Sequence, residues 1–243
     1  MKISKKIPAV LTALALSVVS FSACEKKYVE LDDMVIYNFN TPADGEEIAV
    51  FHISSDKTDY GEVRIKLFPE QVPNSVKNFK ALVEKGYYDG LLFFRCESYV
   101  IQSGDPNNNG SGGETADGNE LVSETVNGLC NFVGAVGYAA KPGSIYNASQ
   151  FYILTGDSVD ENRFLELASY GDNSLYFAKN VKQAYYQHGG IPSFDNTYTV
   201  FGQVFEEDIE KCISISKTET DNGNKPVSDI VITKAEIKKY SAD

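Results

Sequence analysis

Tyr99-Val-Ile-Gln-Ser-Gly-Asp-Pro106 runs directly into Asn107-Asn-Asn-Gly-Ser-Gly-Gly113, and this passage decides the fold. Its first four residues are rich in aromatic and β-branched side chains, which favours a short strand. The asparagine and glycine run that follows is incompatible with the interior of a helix or a strand. The sequence therefore places a polar loop at the end of a short strand.

Other segments around this passage show the patterns of short strands. Val63, Ile65 and Leu67 alternate with polar residues, which predicts a strand with one buried face. Pro73 opens a predicted helix and Gly86 ends it. The other predicted strands cover 48–54, 91–94, 99–102, 132–138, 149–154, 198–204 and 227–238, and a second short helix covers 206–213. Together these elements indicate a mainly β domain, an eight-stranded antiparallel barrel whose ends are capped by two helices.

Residues 157–192 break the rhythm of short strands. Apolar residues such as Phe164, Ala168 and Val181 recur there at helical spacing, and Gly189-Gly190 ends the pattern. We therefore predict two short helices inserted between barrel strands. Two interpretations stay open: a cap that buries its aromatic side chains on the outer barrel wall, or a wall or lid that extends a binding groove.

The N-terminal residues indicate export. Three lysines precede an uncharged, mostly apolar run over 7–23, which is typical of a cleavable signal peptide. The run ends in Phe21-Ser-Ala-Cys24, which resembles the bacterial lipobox. We predict a signal peptide over 1–23, a lipidated Cys24, a polar tether over 24–45 and a folded domain over 46–240. An ordinary signal peptide that ends near a cysteine is the alternative.

Charge and composition exclude several functions. Removal of 1–23 takes away three lysines and no acids, so the formal charge moves from −12 to −15. This acidity argues against nucleic acid and against adhesion to anionic lipid. The spacing of Cys96, Cys130 and Cys212 matches no zinc site, and His52 and His188 stand alone. We expect neither a metal nor a cofactor.

Five segments, in the same order, resemble the cyclophilin family of peptidyl-prolyl cis-trans isomerases. The resemblance covers about 46–239, interrupted by the insertion. It implies a closed, eight-stranded cyclophilin-like barrel and catalysis of rotation about X–Pro bonds. The segments are Gln71-Val-Pro-Asn-Ser-Val-Lys-Asn-Phe79, Lys85-Gly-Tyr-Tyr-Asp-Gly90 with Phe93-Phe-Arg95, Ile101–Pro106 with Gly110-Ser-Gly-Gly-Glu114, Ser149-Gln-Phe-Tyr-Ile153, and Tyr198-Thr-Val-Phe-Gly-Gln-Val204.

By this resemblance Arg95 is the candidate catalytic residue. Rotation about the amide has a barrier of roughly 18–20 kcal/mol and needs no nucleophile. A guanidinium that stays charged can hydrogen-bond the proline carbonyl and stabilise the twisted imide. Taken alone, Arg95 could be a surface arginine at a strand end, but Gln102 and the Gly-Asp turn after it favour the catalytic interpretation.

The resemblance also supplies candidate substrate-binding residues. They divide into side chains that would form the proline slot, side chains that would bind the substrate backbone, and a small residue that would leave room for the peptide. Some of the aromatic side chains could instead be ordinary core residues. The candidates are Tyr99, Val100, Tyr152, Phe194 and Tyr198 for the slot, Gln102 and Gln150 for the backbone, and Ala140 for the space.

The chain departs from the family pattern at several positions. The segment between Arg95 and Gln102 is one residue shorter than usual. Tyrosines stand where many members have phenylalanine, and Tyr198 replaces the usual pocket histidine. The family's tryptophan falls at about Ser193. These changes affect the expected rate and peptide preference more than the reaction.

Taken together, the sequence predicts a monomeric isomerase held by its lipid in the cell envelope, facing outside the cytoplasm. Its partners would be proline-containing exported polypeptides and the membrane, with no nucleic acid. The alternative is a non-catalytic proline-peptide-binding chaperone module that uses the same groove. A hydrolase is excluded because neither histidine lies in a serine or cysteine nucleophile motif.

Overall fold

The computed structural model describes residues 30–141, 143–170 and 177–242. The predicted signal peptide, Cys24 and the first residues of the predicted tether lie outside these ranges. Of the helices within them, none has the length and apolarity needed to cross a membrane.

The described residues form twelve strands and four α-helices, with one 3₁₀ turn over Pro192–Phe194. The strands are β1 (Glu30–Leu31), β2 (Glu47–Ser55), β3 (Asp59–Leu67), β4 (Arg95–Glu97), β5 (Val100–Ser103), β6 (Leu121–Val122), β7 (Ala135–Tyr138), β8 (Tyr146–Asn147), β9 (Phe151–Leu154), β10 (Phe177–Ala178), β11 (Val200–Val204) and β12 (Ile230–Lys239). The helices are α1 (Pro73–Glu84), α2 (Glu161–Tyr170), α3 (Lys179–His188) and α4 (Glu206–Ser216).

Eight strands form one curled antiparallel sheet in the order β12-β2-β3-β11-β7-β9-β5-β4. The expected closed barrel is wrong, because no continuous ladder joins β4 to β12 in the described residues. The edges meet instead at one bridge, between Leu92 and Val231. Three backbone hydrogen bonds support it: Gly90 N to Ile232 O at 2.8 Å, Ile232 N to Leu91 O at 2.9 Å and Phe93 N to Ile230 O at 2.9 Å. The sheet is therefore a half-barrel with a seam of isolated contacts.

The segment at this seam also corrects the strand predicted over 91–94. Gly86 and Gly90 both have positive φ, and the chain between them makes consecutive turns. Positive φ is costly for residues with a Cβ and is the usual reason for glycine at a turn. After these turns, residues 91–94 contribute only the isolated bridge at Leu92, and β4 starts at Arg95.

The main core lies between the concave face of the sheet and helix α1. Phe79 on α1 is fully buried and packs against Phe201 of β11, with ring centroids 4.7 Å apart. Phe51 and Phe151 join the same aromatic cluster from β2 and β9. Pro73 stands at the start of α1, where its missing N–H costs nothing. This core holds the strands that carry the candidate site.

The insertion forms the two expected helices, α2 and α3, and they build a second small core. Phe164 and Tyr185 are fully buried there, and Phe164 packs edge-on against Phe177 at 4.7 Å. Cys130 and Phe132, from the segment before β7, complete this core from the side of the sheet. The described part of the insertion therefore packs as a cap.

Residues 31–41, which we call the N-terminal strap, lie against the domain, although the sequence analysis assigned them to a tether. β1 pairs in parallel with β10, and Asn180 on α3 donates a hydrogen bond of 2.6 Å to Met34 O. Asn38 is buried and donates hydrogen bonds of 2.9 Å to Cys130 O and to Gln203 Oε1. The strap thus joins the insertion to the main sheet.

Candidate active site

All nine candidate catalytic and substrate-binding residues line one surface cavity of about 520 Å³. They come from strands and loops that are far apart in the sequence. The structure therefore brings together every member of the set, which is Arg95, Tyr99, Val100, Gln102, Ala140, Gln150, Tyr152, Phe194 and Tyr198.

The register of three neighbouring strands aligns the central residues of this cavity. Arg95 on β4 lies opposite Gln102 on β5, and Gln102 lies opposite Tyr152 on β9. Residues directly opposite each other on adjacent strands place their side chains on the same face of the sheet. The three side chains therefore form a row across the cavity wall.

Three side chains hold the guanidinium of Arg95. Its Nε donates a 2.6 Å hydrogen bond to Glu97 Oε1, its Nη1 a 3.0 Å bond to Gln102 Oε1, and its Nη2 a 3.2 Å bond to the Tyr99 hydroxyl. The Arg95 side chain remains 38% exposed, so the cation faces the cavity while its orientation is fixed. Burial raises the pKa of Tyr99, and the charge of Glu97 adds to this effect, so its hydroxyl stays protonated.

A chain of amide hydrogen bonds continues from Arg95 to the glycine-rich loop. Gln102 Nε2 donates to Gln150 Oε1 at 2.9 Å, and Gln150 Nε2 donates to Gly112 O at 2.6 Å. Each glutamine is half-buried, so both can also present polar atoms to a peptide in the cavity. The row of polar groups suits an extended backbone.

Asp105 shapes the loop on this side of the cavity. Its buried carboxylate accepts hydrogen bonds from the backbone N–H groups of Asn107 at 2.8 Å, Asn109 at 3.1 Å and Gly110 at 2.6 Å. Burial alone would raise the pKa of Asp105, but these N–H groups outweigh it and lower the pKa. Gly104 is required because a Cβ there would lie 2.3 Å from Ser149 O.

The cavity also has an aromatic wall, which begins at Tyr152 in the row described above. Tyr152, Phe194 and Tyr198 pack edge to face, with ring centroids 4.9 to 6.1 Å apart. Tyr152 is only 4% exposed, while Phe194 and Tyr198 are half-buried. Edge-to-face packing of this kind stabilises a fixed arrangement of rings. With the 3% exposed Val100, the wall forms an apolar slot of the kind that holds a proline ring.

Two candidates could have been ordinary core residues, and the structure shows what each does. Tyr152 belongs to the main core and also lines the cavity. Its hydroxyl group passes close to Gly137, where the Cβ of any other residue would lie 2.3 Å from the hydroxyl oxygen. Tyr99 packs on the edge of the core and reaches Arg95 with its hydroxyl. Both residues therefore combine a packing role with a place at the site.

The sequence analysis missed Glu97, the residue that holds Arg95 most closely. The sequence did contain a signal for this contact. Glu97 follows Arg95 by two positions, and residues two apart on a strand place their side chains on the same face. Ten further residues line the cavity and were not among the candidate site residues. These are Gly110, Ser111, Gly112, Gly113, Ala139, Lys141, Ser144, Tyr146, Asn147 and Ala148.

The remaining chemistry-bearing residues lie away from the cavity. Cys96, Cys130 and Cys212 are buried free thiols. His52 lies beside Glu236 and Glu62 on the sheet surface, and His188 stacks on Phe39 at 4.2 Å. Over the described ranges, no group of three or more His, Cys, Asp and Glu side chains is arranged to hold a metal ion.

Comparison with known proteins agrees with this geometry. Residues 51–237 match the model of the family described as cyclophilin type peptidyl-prolyl cis-trans isomerase/CLD. A Staphylococcus epidermidis protein provisionally named a peptidyl-prolyl cis-trans isomerase is 34% identical over 183 residues, which cover 75% of this chain and 89% of that protein. A similarly named Staphylococcus aureus protein is 33% identical over 196 residues, or 80% of this chain and 93% of that protein.

Two further similarities are more limited in extent or identity. A Streptococcus pyogenes protein, provisionally named a bifunctional phosphatase/peptidyl-prolyl cis-trans isomerase, is 34% identical over 183 residues, but the match spans only 37% of it. The crystal structure of a Cryptosporidium parvum cyclophilin type isomerase superposes with a TM-score of 0.61 at 23% identity, covering 80% of this chain and 99% of that chain. The latter similarity supports the fold.

Proposed function

Because this chain belongs to the cyclophilin-type peptidyl-prolyl cis-trans isomerase family and is such an isomerase, we propose that it catalyses rotation about X–Pro bonds in exported proteins and so assists their folding. We further propose that lipid attached to Cys24 holds it at the outer face of a membrane. Membership of the family supports the isomerase activity. The proposal concerns the exported substrates and the attachment to a membrane.

The proposed mechanism uses binding that is tighter to the twisted amide than to either planar isomer. Rotation removes the conjugation of the amide, so the imide nitrogen becomes pyramidal and can accept a hydrogen bond. Arg95, held by Glu97 and Gln102, would donate to the proline carbonyl or to this nitrogen. Interactions that exist only in the transition state raise the rate of the chemical step.

The aromatic wall would hold the proline ring while the preceding residue rotates. The slot formed by Val100, Tyr152, Phe194 and Tyr198 buries the ring, and Gln102 and Gln150 would bind the peptide backbone on the polar side. One part of the substrate is thus fixed and the other is free to turn about the X–Pro bond. Burial of apolar surface supplies the affinity, at about 25 cal/mol per Å².

The single observation that carries this mechanism is that Arg95 and the aromatic wall line one cavity, with Tyr152 of the wall in the same cross-strand row as Arg95 and Gln102. A cation with a fixed plane and an apolar slot in the same cavity match the two parts of an X–Pro unit, its carbonyl group and its proline ring. The alternative, a module that only binds proline peptides, would not require a cation held in place by three side chains. The geometry therefore favours the enzyme.

The charge and the position of the strap support the proposed setting. A chain with a formal charge of −15 after removal of 1–23 gains nothing from anionic lipid, so lipid on Cys24 would have to supply the attachment. Glu30, where β1 begins, lies six positions after Cys24. Six residues span at most about 20 Å. The domain would therefore work close to the membrane surface.

Attachment is tested in cells that express the full chain. The wild type should incorporate labelled palmitate and sediment with membranes, and Cys24→Ser should do neither. A serine variant that remains in the membrane fraction would instead indicate an uncleaved hydrophobic helix. The folding role is tested separately, by refolding an exported protein whose slow phase is X–Pro isomerisation. The chain from residue 25 onward should shorten that phase.

A further inference from the structure

A buried polar network joins helix α3 of the insertion to the aromatic wall of the cavity. Tyr185, on α3, and Asn131, in the segment before β7, are both fully buried. Between them lies the carboxylate of Asp195, the residue that follows the 3₁₀ turn. Buried polar groups are costly unless they are hydrogen-bonded, so these contacts constrain the positions of the groups that make them.

The Asp195 carboxylate accepts hydrogen bonds from two sides. The Tyr185 hydroxyl lies 2.8 Å from both Oδ1 and Oδ2 of Asp195. Asn131 donates to Oδ1 twice, from its backbone N at 2.8 Å and from Nδ2 at 3.0 Å. Hydrogen bonds to an ionised acceptor are roughly twice as strong as neutral ones, so the carboxylate fixes both partners.

Asn131 passes this constraint to the cavity. Its side-chain Oδ1 accepts a 2.6 Å hydrogen bond from the Tyr152 hydroxyl. Because Asn131 Nδ2 is bound to Asp195, the amide is oriented with Oδ1 toward Tyr152. The ring of Tyr152 is thus held at its polar end by a residue that itself depends on Asp195.

The same carboxylate also places the second ring of the wall. Asp195 directly follows Phe194, whose ring packs against Tyr152 at 6.0 Å. The turn that carries Phe194 is tied to the same segment by a 2.9 Å hydrogen bond from Ile191 N to Asn131 O. Tyr152 and Phe194 therefore share one reference point, the Asp195–Asn131 pair.

We propose that Asp195, Asn131 and Tyr185 are positioning residues that hold Tyr152 and Phe194 in the geometry of the proline slot, so that the insertion acts on isomerase activity through Tyr185. This inference rests on the proposed mechanism at the same cavity. The described residues of the insertion do not line the cavity themselves. The insertion acts from behind the wall, and its effect on catalysis passes through hydrogen bonds.

The network has a titratable centre. Burial raises the pKa of Asp195 from 3.8 to about 6, against the opposing effect of the donors from Asn131 and Tyr185 and of the Cys130 thiol. The titratable groups that face it are Tyr185 from α3, Cys130 from the segment before β7, and Tyr152 from β9. Burial raises the pKa of each of these, so they stay neutral while Asp195 titrates.

Protonation of Asp195 therefore changes the network under mildly acidic conditions. A protonated carboxyl group has lost acceptor capacity, and its new proton needs an acceptor among groups that now donate to it. The Tyr185 hydroxyl could accept it only by giving up its own bond to the carboxylate, and it already accepts a 3.0 Å hydrogen bond from Asn131 N. The hold on Asn131 and on the turn loosens, and isomerase activity falls as the pH drops through about 6. Isomerase activity should therefore rise with pH. The free energy of unfolding should change in the opposite direction, because a carboxyl group whose pKa is raised on folding contributes less stability as pH rises from about 4 to about 6.

The test measures kcat and KM for a tetrapeptide with a central X–Pro bond, between pH 5 and pH 8, on the chain from residue 25 onward. Tyr185→Phe removes one hydroxyl and leaves the buried ring. Asp195→Asn mimics the protonated carboxyl group. Tyr186→Phe is the matched control, because it removes a hydroxyl from the exposed neighbouring position of the same helix.

We expect Tyr185→Phe to raise KM roughly threefold to tenfold with little change in kcat, since a loosened slot weakens uniform binding. Asp195→Asn should show the same rise at pH 7.5 and should lose the inflection near pH 6 that the wild type shows. Tyr186→Phe should match the wild type. If Asp195→Asn does not fold, Tyr185→Phe decides the question alone.

The outcomes separate this inference from the proposed function. A wild type without isomerase activity would overturn the proposed function and this inference together. An active wild type whose two network variants keep its KM and its pH profile, even with a lower melting temperature, would overturn the positioning role alone.

Discussion

Arg95 and Glu97 lie two positions apart on strand β4, and Arg95 Nε donates a 2.6 Å hydrogen bond to Glu97 Oε1 at the edge of the cavity. The Glu97 side chain is 23% exposed and that of Arg95 is 38% exposed, so the pair is partly shielded from water. Glu97 orients the guanidinium without removing it from the cavity. Under the proposed mechanism, in which Arg95 is the hydrogen-bond donor, Glu97 is therefore a positioning residue.

Substitution of Glu97 should lower turnover while leaving the fold intact. Glu97→Ala frees the guanidinium to take up other rotamers, and we expect kcat to fall roughly tenfold. Glu97→Gln keeps an acceptor oxygen but loses the negative charge of the ion pair, so its kcat should fall by less. Tetrapeptide isomerisation kinetics measure both. An alanine variant with wild-type kcat would show that Arg95 needs no such support.

Asp105 should stabilise the glycine-rich loop in a pH-dependent manner. Asp105→Asn replaces one acceptor oxygen by a donor that faces backbone N–H groups, and should lower the free energy of unfolding by about 1–3 kcal/mol at pH 7. Because the pKa of Asp105 is lowered on folding, its contribution is present above about 3.8 and is lost as pH falls through the folded-state pKa.

Urea unfolding at pH 7 and at about pH 2 tests this prediction, because the second pH lies well below the unfolded-state pKa of 3.8. The gap between the wild type and Asp105→Asn should narrow at the lower pH. Asp117→Asn is the control, because Asp117 is an exposed carboxylate of the same loop region and its removal should change little. A gap that widens in acid would contradict the assignment.

Ciclosporin should inhibit this isomerase weakly. The family's tryptophan, which contributes apolar area and an indole N–H to drug binding, falls at about Ser193, which is exposed in the 3₁₀ turn beside Phe194. Loss of that contact should weaken binding by roughly tenfold to a few hundredfold. Ser193→Trp should recover part of the affinity. Nanomolar inhibition of the wild type would show that the position of the missing tryptophan is misassigned.

The second core should be a major source of stability for the insertion. Phe164 is fully buried on α2 and contacts Phe177 and Tyr185, so Phe164→Ala should cost about 3–5 kcal/mol in the free energy of unfolding. Leu165→Ala, at a 42% exposed position next to it, should cost less than about 0.5 kcal/mol. Equal effects of the two substitutions would contradict the packing of α2 described above.

The parts of the fold that could be predicted from the sequence are those with local patterns. Val63, Ile65 and Leu67 alternate along β3 because one face of that strand is buried, and α1 begins at Pro73 as predicted. The candidate site residues come together in one cavity because the segments that carry them lie on adjacent strands. Periodicity reflects which face of an element is buried, and motif order reflects the order of the elements along the chain. Both can be read from the amino-acid sequence alone.

The parts that could not be predicted depend on contacts between distant residues. Asn38 is buried because it reaches Gln203, which is 165 positions away, and nothing in the residues near Asn38 indicates this partner. In the sequence, Asp195 has the features of an ordinary aspartate in a turn. Only the structure shows that Tyr185 and Asn131 surround its carboxylate. The missing ladder between β4 and β12 likewise depends on how two distant segments meet, at the bridge between Leu92 and Val231, which local apolar composition does not indicate.

The most direct test of the account is the rate of tetrapeptide isomerisation by Arg95→Ala, measured beside the wild type and Arg95→Lys. If Arg95 stabilises the transition state, the alanine variant should lose on the order of 10²–10³ in turnover while peptide affinity and the near-ultraviolet circular dichroism spectrum stay close to wild type. The lysine variant keeps the charge without the planar fork and should also be strongly impaired. An alanine variant that retains more than half of the wild-type activity would contradict the mechanism.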